Sequence, residues 1–441
     1  MSARGLSATQ ARGVVEARLG RPPQDMLEAA VTLEAWAGVP GKAALDLGHA
    51  MMRTASADRA RSASAPPEAP PVQPHVILEA VAFVVAVLAV ATWAAPLSSS
   101  AGRSVVGQAL TLALPVTLAG QWIVRSRYLG RPDGLAHLAR APWQLSVVAL
   151  GVLCVSWAIL GTAGALGGLL SLIWIGGAIL IRRSWSLLYA TIVLGATVVM
   201  LLGVSATLVV ASAAAVTALA VVAALASARA EPDRPPGRWG QAAVAGMVGL
   251  GFGLLLAGDP SVGWGVRGDL PALALLPSTI ASFWGGWHLW RFRRAIPDML
   301  SGASLLGDDV RRLWGAPVRM LLGAVARLVG LTALLSLVVV AAGRLLAVPV
   351  SSTSVFVGFG LVALATLCVS LLESVGSNVP TLVATSGAIL AECVVRFAHL
   401  TSIAGGGLIV GASVAILLAL PYGIALLARP ERALATALWI S

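Results

Sequence analysis

Charge is scarce in this chain. Only 11% of its 441 residues are Asp, Glu, Lys or Arg, where a soluble domain carries about a quarter. With 58% hydrophobic residues and a mean hydropathy of +0.88, an aqueous fold has too little polar surface to cover the apolar remainder. Cysteine is scarce too. Cys154, Cys368 and Cys393 fall in three separate apolar stretches, which excludes a disulfide framework or a cysteine metal motif and leaves small packing residues. Lys42 is the single lysine among 30 basic residues, a bias that together with the Ala and Gly excess points to a GC-rich bacterial genome. Catalytic signatures are missing as well. There is no HExxH, no P-loop and no pair of intramembrane carboxylates, and His288 and His399 have no evident Ser or Cys partner. The first outer loop, LSSSAGRS, lacks the acidic residue that one kind of membrane glycosyltransferase uses there. We therefore expect a protein that is not an enzyme and holds no metal or cofactor.

What the chain has instead is long apolar runs. A hydrocarbon core about 30 Å thick needs roughly 20 apolar residues per helix, and lipid offers unpaired backbone groups no partner, so helices are the expected element. Twelve stretches qualify: Val76–Leu97, Ser104–Val124, Pro142–Gly161, Thr162–Ile181, Ser184–Val204, Ala206–Ala226, Trp239–Leu256, Leu270–Trp290, Pro317–Val340, Val350–Leu372, Val379–Ala398 and Gly406–Leu427. The third and fourth are almost contiguous, so a helical hairpin is expected there. The predicted fold is an all-α polytopic membrane protein. Because the first apolar run starts near residue 75, no cleavable signal peptide is expected.

Arginine falls on alternate connections. With the N-terminus inside, the inner loops carry Arg125, Arg127, Arg131 and Arg140, then Arg182 and Arg183, then Arg229, Arg234 and Arg238, then Arg291, Arg293, Arg294, Arg311, Arg312 and Arg319, with Arg429 and Arg432 after the last span. The outer loops hold only Arg103, Arg267 and Arg344. The positive-inside rule then places both termini in the cytoplasm of a bacterial inner membrane. The net charge of +11 reads as topology and contact with anionic lipid heads, with no nucleic-acid partner expected.

Ahead of the membrane, residues 1–53 show apolar positions at helical spacing, with Met26, Leu27, Ala30, Val31 and Leu33 on one face. This predicts a small cytoplasmic helical module, able to dock a partner such as a cytoplasmic synthase or to serve as a passive cap. Residues 54–75, rich in Ala, Ser and Pro, read as a flexible linker. Beyond it the expected divisions are 76–228 and 239–428, two six-helix lobes joined by 229–238, and a cytoplasmic tail at 429–441.

The lobes are expected from internal repetition. LALPVTLAGQWIVRSR around Pro115 is answered six spans later by LALLPSTIASFWGGWHLWRFRR around Pro277. LIWIGGAILIRRSWSLLYATIVLGATVV is likewise answered by ATLCVSLLESVGSNVPTLVATSGAILAECVV. Duplicated transporter folds show themselves through weak symmetry of this kind.

The segment SLLESVGSNVPTLVATSGAILAECVVRFAHLTSIAGGGLIVGASVAILLAL resembles the C-terminal part of the multidrug, oligosaccharidyl-lipid and polysaccharide flippase superfamily. The segment FWGGWHLWRFRRAIPDMLSGASLLGDDVRRLWGAPVRMLLGAVARL is similar to that family's basic cytoplasmic loop between two helices. The resemblance covers about residues 80–427. It implies two six-helix lobes around a cavity that opens alternately to each side and moves a lipid-linked oligosaccharide or polysaccharide intermediate. Flippases of pyrophosphate-linked sugars carry several cavity cations, whereas these helix interiors are nearly uncharged. A proton-coupled carrier of the major facilitator type and a non-transporting scaffold for a cytoplasmic synthase are the alternatives. SRYLGRPDGLAHL does not clearly match the basic signature of the former.

The candidate path residues are few. Gln108 and Gln121 flank Pro115 and are able to bond sugar hydroxyls or to join helices; Ser278 and Thr279 follow Pro277. Pro115 and Pro277 free carbonyls and permit bending, which makes them gate candidates. A charge at the centre of a membrane helix costs about 2.5–3.5 kcal/mol on insertion scales, so Arg327, Glu392 and Arg396 stand out. Glu392 and Arg396 are i,i+4 in the favourable order for a local ion pair, or for a proton-coupled carboxylate.

Overall fold

The computed structural model describes residues 7–19, 22–23, 26–62, 74–129, 134–140, 142–228, 237–259, 262, 273–285, 309–348, 350–374 and 376–428. Every regular element among these residues is helical. The chain divides into two compact units, residues 1–71 with 291–317 and residues 72–290 with 318–441.

In the first unit, α1 (Ala8–Leu19), α2 (Met26–Ala37) and α3 (Gly41–Ser62) surround a core of their own. Ser7 and Gln10 open α1 reciprocally, Ser7 N donating to Gln10 Oε1 at 3.1 Å and Gln10 N to Ser7 Oγ at 3.3 Å, which satisfies two donors that helix geometry leaves free. Gly38, with φ 60°, ends α2, and Val39 N then reaches back to Leu33 O, closing the terminal carbonyls. Val15, Ala30, Leu33 and Met51 fill the centre, while Val31, expected on the inner face, is 63% exposed.

The second unit contains α4 (Pro74–Ala101), α5 (Arg103–Val124) ending in a π-turn at Arg125–Leu129, the short α6 (Gly134–Arg140), α7 (Pro142–Arg182), α8 (Ser186–Leu201), α9 (Ala206–Ala226) and α10 (Trp239–Gly258). It continues with α11 (Leu273–Gly285), the membrane part of α12 (Asp309–Leu345), α13 (Thr353–Ser374), α14 (Asn378–Phe397) and α15 (Gly406–Leu427). By length and composition, 9 described helices can cross a bilayer, and α8 and α11 are shorter apolar helices. The molecule is thus a polytopic helical membrane protein.

Helix α7 is not one straight rod. Gly161 has φ 57° and ψ −129° inside it, and beyond that point the chain returns along itself. Side-chain space at Gly164 is blocked by the Ser156 carbonyl, and Gly168 lies against Leu153. Residues 15 apart on a continuous helix would be separated by about 22 Å, so 142–160 and 162–182 form the expected hairpin.

Glycine sets the closest contacts elsewhere too. Gly246, Gly249 and Gly253 on α10 face Ile123, Leu118 and Pro115 on α5, so the two backbones run antiparallel at close range, as small residues permit in lipid. Among the described helices α4 packs on α8 and α9, and α9 on α7 and α8; α10 packs in turn on α14 and α15, and α15 on α13 and α14. At one end of the bundle Arg127 Nη1 donates to Gly237 O at 2.6 Å, Arg183 to Ser227 O at 3.0 Å, and Arg125 to Glu373 at 2.9 Å. These links gather the basic connections expected on one side of the membrane.

Candidate functional site

A cavity of about 430 Å³ lies in the middle of the second unit, walled by α4, α5, α7, α8, α10, α11 and α13. The walls follow helical periodicity. On α5 the lining positions are 110, 114, 117, 118, 121, 122 and 125, and on α11 they are 275, 278, 279, 282 and 283. These are the i, i+3, i+4, i+7 stripes of single helix faces. A shift of 161 positions carries Leu114, Thr117, Leu118, Gln121 and Trp122 onto Leu275, Ser278, Thr279, Ser282 and Phe283. The second arm of α7 and helix α13 match in the same way: a shift of 185 carries Trp174, Gly177, Ala178 and Ile181 onto Phe359, Val362, Ala363 and Thr366. Two unlike sequences therefore present the same stripes to one space.

The lining is mostly apolar and aromatic, with isolated polar groups. Gln121 Nε2 donates to Trp174 O at 3.1 Å, which ties α5 to the second arm of α7 while leaving the amide oxygen for another donor. Ser278 Oγ and Thr279 Oγ1 both donate to Leu275 O, at 2.8 and 2.9 Å. Both hydroxyls thus turn back onto the carbonyl three or four residues earlier in their own helix, as Ser and Thr commonly do in apolar helices. Thr117 Oγ1 is buried with no hydrogen-bond partner. Arg125 is the cation of the described lining; it pairs with Glu373 Oε2 at 2.9 Å and lies 5.1 Å from the Trp122 ring centroid. Trp122 in turn stacks on Phe252 of α10.

Of the sequence-predicted path residues, the cavity brings together Gln121, Ser278 and Thr279. Gln108 does not join them. It is exposed on the opposite side of α5: the two glutamines are 13 positions apart (121 − 108), about 220° around a helix at 100° per residue. Arg327 is exposed on α12 and takes no part in the lining. Pro115 and Pro277 are both buried behind the lining stripes, Pro115 against Gly253, and α5 continues through Pro115 as one helix. In the cavity register Pro115 corresponds to Leu276, one position short of Pro277.

Glu392 and Arg396 lie toward the end of the bundle opposite Arg125, and neither lines the cavity. The expected ion pair between them is replaced: Arg396 Nη1 donates to Gly258 O at 2.7 Å, where the last carbonyls of α10 lack helical partners. Glu392 is 4% exposed, and its Oε1 has no hydrogen-bond partner.

The sequence reading missed Thr117, Trp174, Tyr189, Ser282 and Thr366 as lining groups. A signal for two of them existed, since Thr117 precedes Gln121 by one turn and Ser282 follows Ser278 by one turn. No protein-family model, curated protein or solved structure matches the chain. Among the described residues no group of His, Cys, Asp and Glu is arranged to hold a metal.

Proposed function

We propose that this protein is a flippase-like transporter of the bacterial inner membrane, moving the head of a lipid-linked oligosaccharide or polysaccharide intermediate across the bilayer by alternating access. In this reading the chain crosses twelve times with both termini inside. Residues 76–228 and 239–428 are two duplicated lobes, and the Arg125 end faces the cytoplasm. The observation that carries it is the cavity, lined in matching register by helices of both halves. A membrane scaffold needs no such space and would gain stability by filling it. A volume of about 430 Å³ lies within the roughly 300–1,000 Å³ of small-molecule sites, which suits a compact headgroup rather than a polymer chain. Gln121, Thr117, Ser278 and Thr279 offer neutral hydrogen bonding, and Trp122, Trp174 and Tyr189 offer flat apolar faces for sugar rings.

The test is reconstitution into vesicles loaded with a fluorescent glycolipid, with headgroup exposure followed by an impermeant quencher. The reading expects protein-dependent movement of the headgroup that slows when Gln121 is replaced by leucine. If vesicles with and without the protein give the same traces for neutral and pyrophosphate-linked glycolipids, the scaffold reading takes its place. The N-terminal helical module would then be the part that holds a cytoplasmic synthase.

A further inference from the structure

At the bundle end opposite Arg125, three helix ends meet around one carboxyl group. Glu392 of α14 is 4% exposed, and its surroundings are glycines of two other helices. A Cβ built on Gly258, the last residue of α10, would fall 2.9 Å from Glu392 Oε1. One built on Gly407, in the first turn of α15, would fall 3.2 Å from Glu392 Cγ and 3.3 Å from Asp259 Oδ2. Two carboxyl groups thus flank the same glycine.

They are not equivalent. Asp259 Oδ2 accepts the Gly407 N–H at 3.2 Å, on the first turn of α15, where the free N–H groups and the helix dipole favour negative charge. Glu392 Oε1 accepts nothing. The charged groups facing Glu392 are Asp259, just beyond α10, and Arg396, one turn along α14; α15 brings backbone N–H groups and no titratable side chain to this end. Arg396 is engaged with the Gly258 carbonyl. An ionised Glu392 beside Asp259, its Oε1 unserved by any donor, would be among the costliest arrangements a helix bundle can hold.

We propose that Glu392 is a proton-binding site, and that its bound proton lets the ends of α10, α14 and α15 close together. In the closed arrangement the side chain is the neutral acid and Arg396 serves Gly258. On opening, the carboxyl O–H bond breaks, the proton leaves to water, and the carboxylate takes Arg396 as its partner at the favourable i,i+4 spacing. Glycine at 258 and 407 is what makes room for the carboxyl between the helices. This site does not depend on what the central cavity carries, so the vesicle experiment and the one below can fail separately.

The experiment is infrared spectroscopy of the full-length protein in lipid nanodiscs during a pH titration, with exchange into D2O to identify carboxyl bands. The expected result is a protonated-carboxyl C=O stretch at neutral pH that is lost at high pH and absent from Glu392→Gln. Asp259→Asn should retain a carboxyl band at neutral pH. Glu392→Gln, which keeps the shape of the neutral acid, should purify in wild-type yield. No protonated-carboxyl band in the wild type, or a band unchanged by Glu392→Gln, overturns the proposal. So does loss of the band on adding sodium chloride, but not choline chloride, at constant pH, which would make this a sodium site.

Discussion

The two arms of α7 have the same apolar character and opposite fates. In residues 142–160, Trp143, Val148, Leu150, Trp157 and Ile159 are each more than 60% exposed, and Ser156 alone is buried. In residues 162–182, a buried face runs from Ala163 to Ile181, against α5, α8 and α9. The difference lies in glycine. The second arm carries Gly164, Gly167, Gly168, Gly176 and Gly177, and the first carries only Gly151. Lipid tails are as apolar as leucine, so hydrophobicity does not select which helix goes inside; close approach of backbones does.

The sharpest way to break the comparison is to fill that close approach. A Cβ at Gly167 would lie 2.7 Å from the Ala109 carbonyl oxygen, a backbone atom that cannot swing away, whereas Gly151 has nothing within 4 Å. Gly167→Val is expected to cost at least about 3 kcal/mol, the upper end of the overpacking range, and to lower the yield of folded protein. Gly151→Val should be close to neutral. Thermal unfolding in nanodiscs compares the two, and equal midpoints would mean that the arms are not distinguished by packing.

Gly161 comes next, because its substitution changes sign with the geometry. No heavy atom would touch a Cβ there, so only the backbone is tested. At φ 57° and ψ −129° an L residue is strained by about 1–3 kcal/mol, and Gly161→Ala should destabilise by that amount. In a straight 41-residue helix the same change would stabilise by roughly 0.5–1 kcal/mol. A raised unfolding midpoint would remove the hairpin.

That hairpin was legible in the sequence, because two full apolar spans with no polar connection cannot lie end to end in one bilayer. The basic ends of α5 and α7 were legible too, because arginine marks where a helix leaves lipid. The faces were harder. Gln108 and Gln121 were grouped by their symmetry about Pro115, although helix rotation alone separates them. The Glu392–Arg396 pair followed from spacing on one helix, and it lost to a carbonyl on α10, a partner that only tertiary packing supplies. Thr366 resembles many other hydroxyls in apolar helices, and nothing local marks it as facing a shared space.

Those glutamines give the third prediction. Gln121 joins α5 to the buried arm of α7 through Trp174 O, and a typical hydrogen bond contributes about 0.5–1.5 kcal/mol. Gln121→Leu should therefore destabilise by about 1 kcal/mol and slow headgroup movement. Gln108→Leu should leave both unchanged, since exposed leucine suits a lipid-facing position. Slowing by the Gln108 variant as well would mean that the path runs outside the cavity.

The smallest expected change in stability is at Arg125 and Glu373, where charge rather than packing joins the halves. Their side chains are 49% and 19% exposed, and such pairs contribute about 0.2–1 kcal/mol, less at high salt. A double-mutant cycle with Arg125→Ala and Glu373→Ala should give a coupling within that range. The consequence for access is expected to be larger. Arg125 lines the cavity and also rests on Trp122, so releasing its guanidinium from Glu373 frees one end of the space without unfolding a helix. In a background with Cys154, Cys368 and Cys393 replaced by alanine, a cysteine introduced at Ser282 reports access from water. Its labelling by a membrane-impermeant maleimide should rise severalfold in Arg125→Ala, and the charge swap Arg125→Glu with Glu373→Arg should restore the slow rate. Unchanged labelling in Arg125→Ala would reduce the pair to a surface contact and leave the end of the cavity controlled by the helices alone.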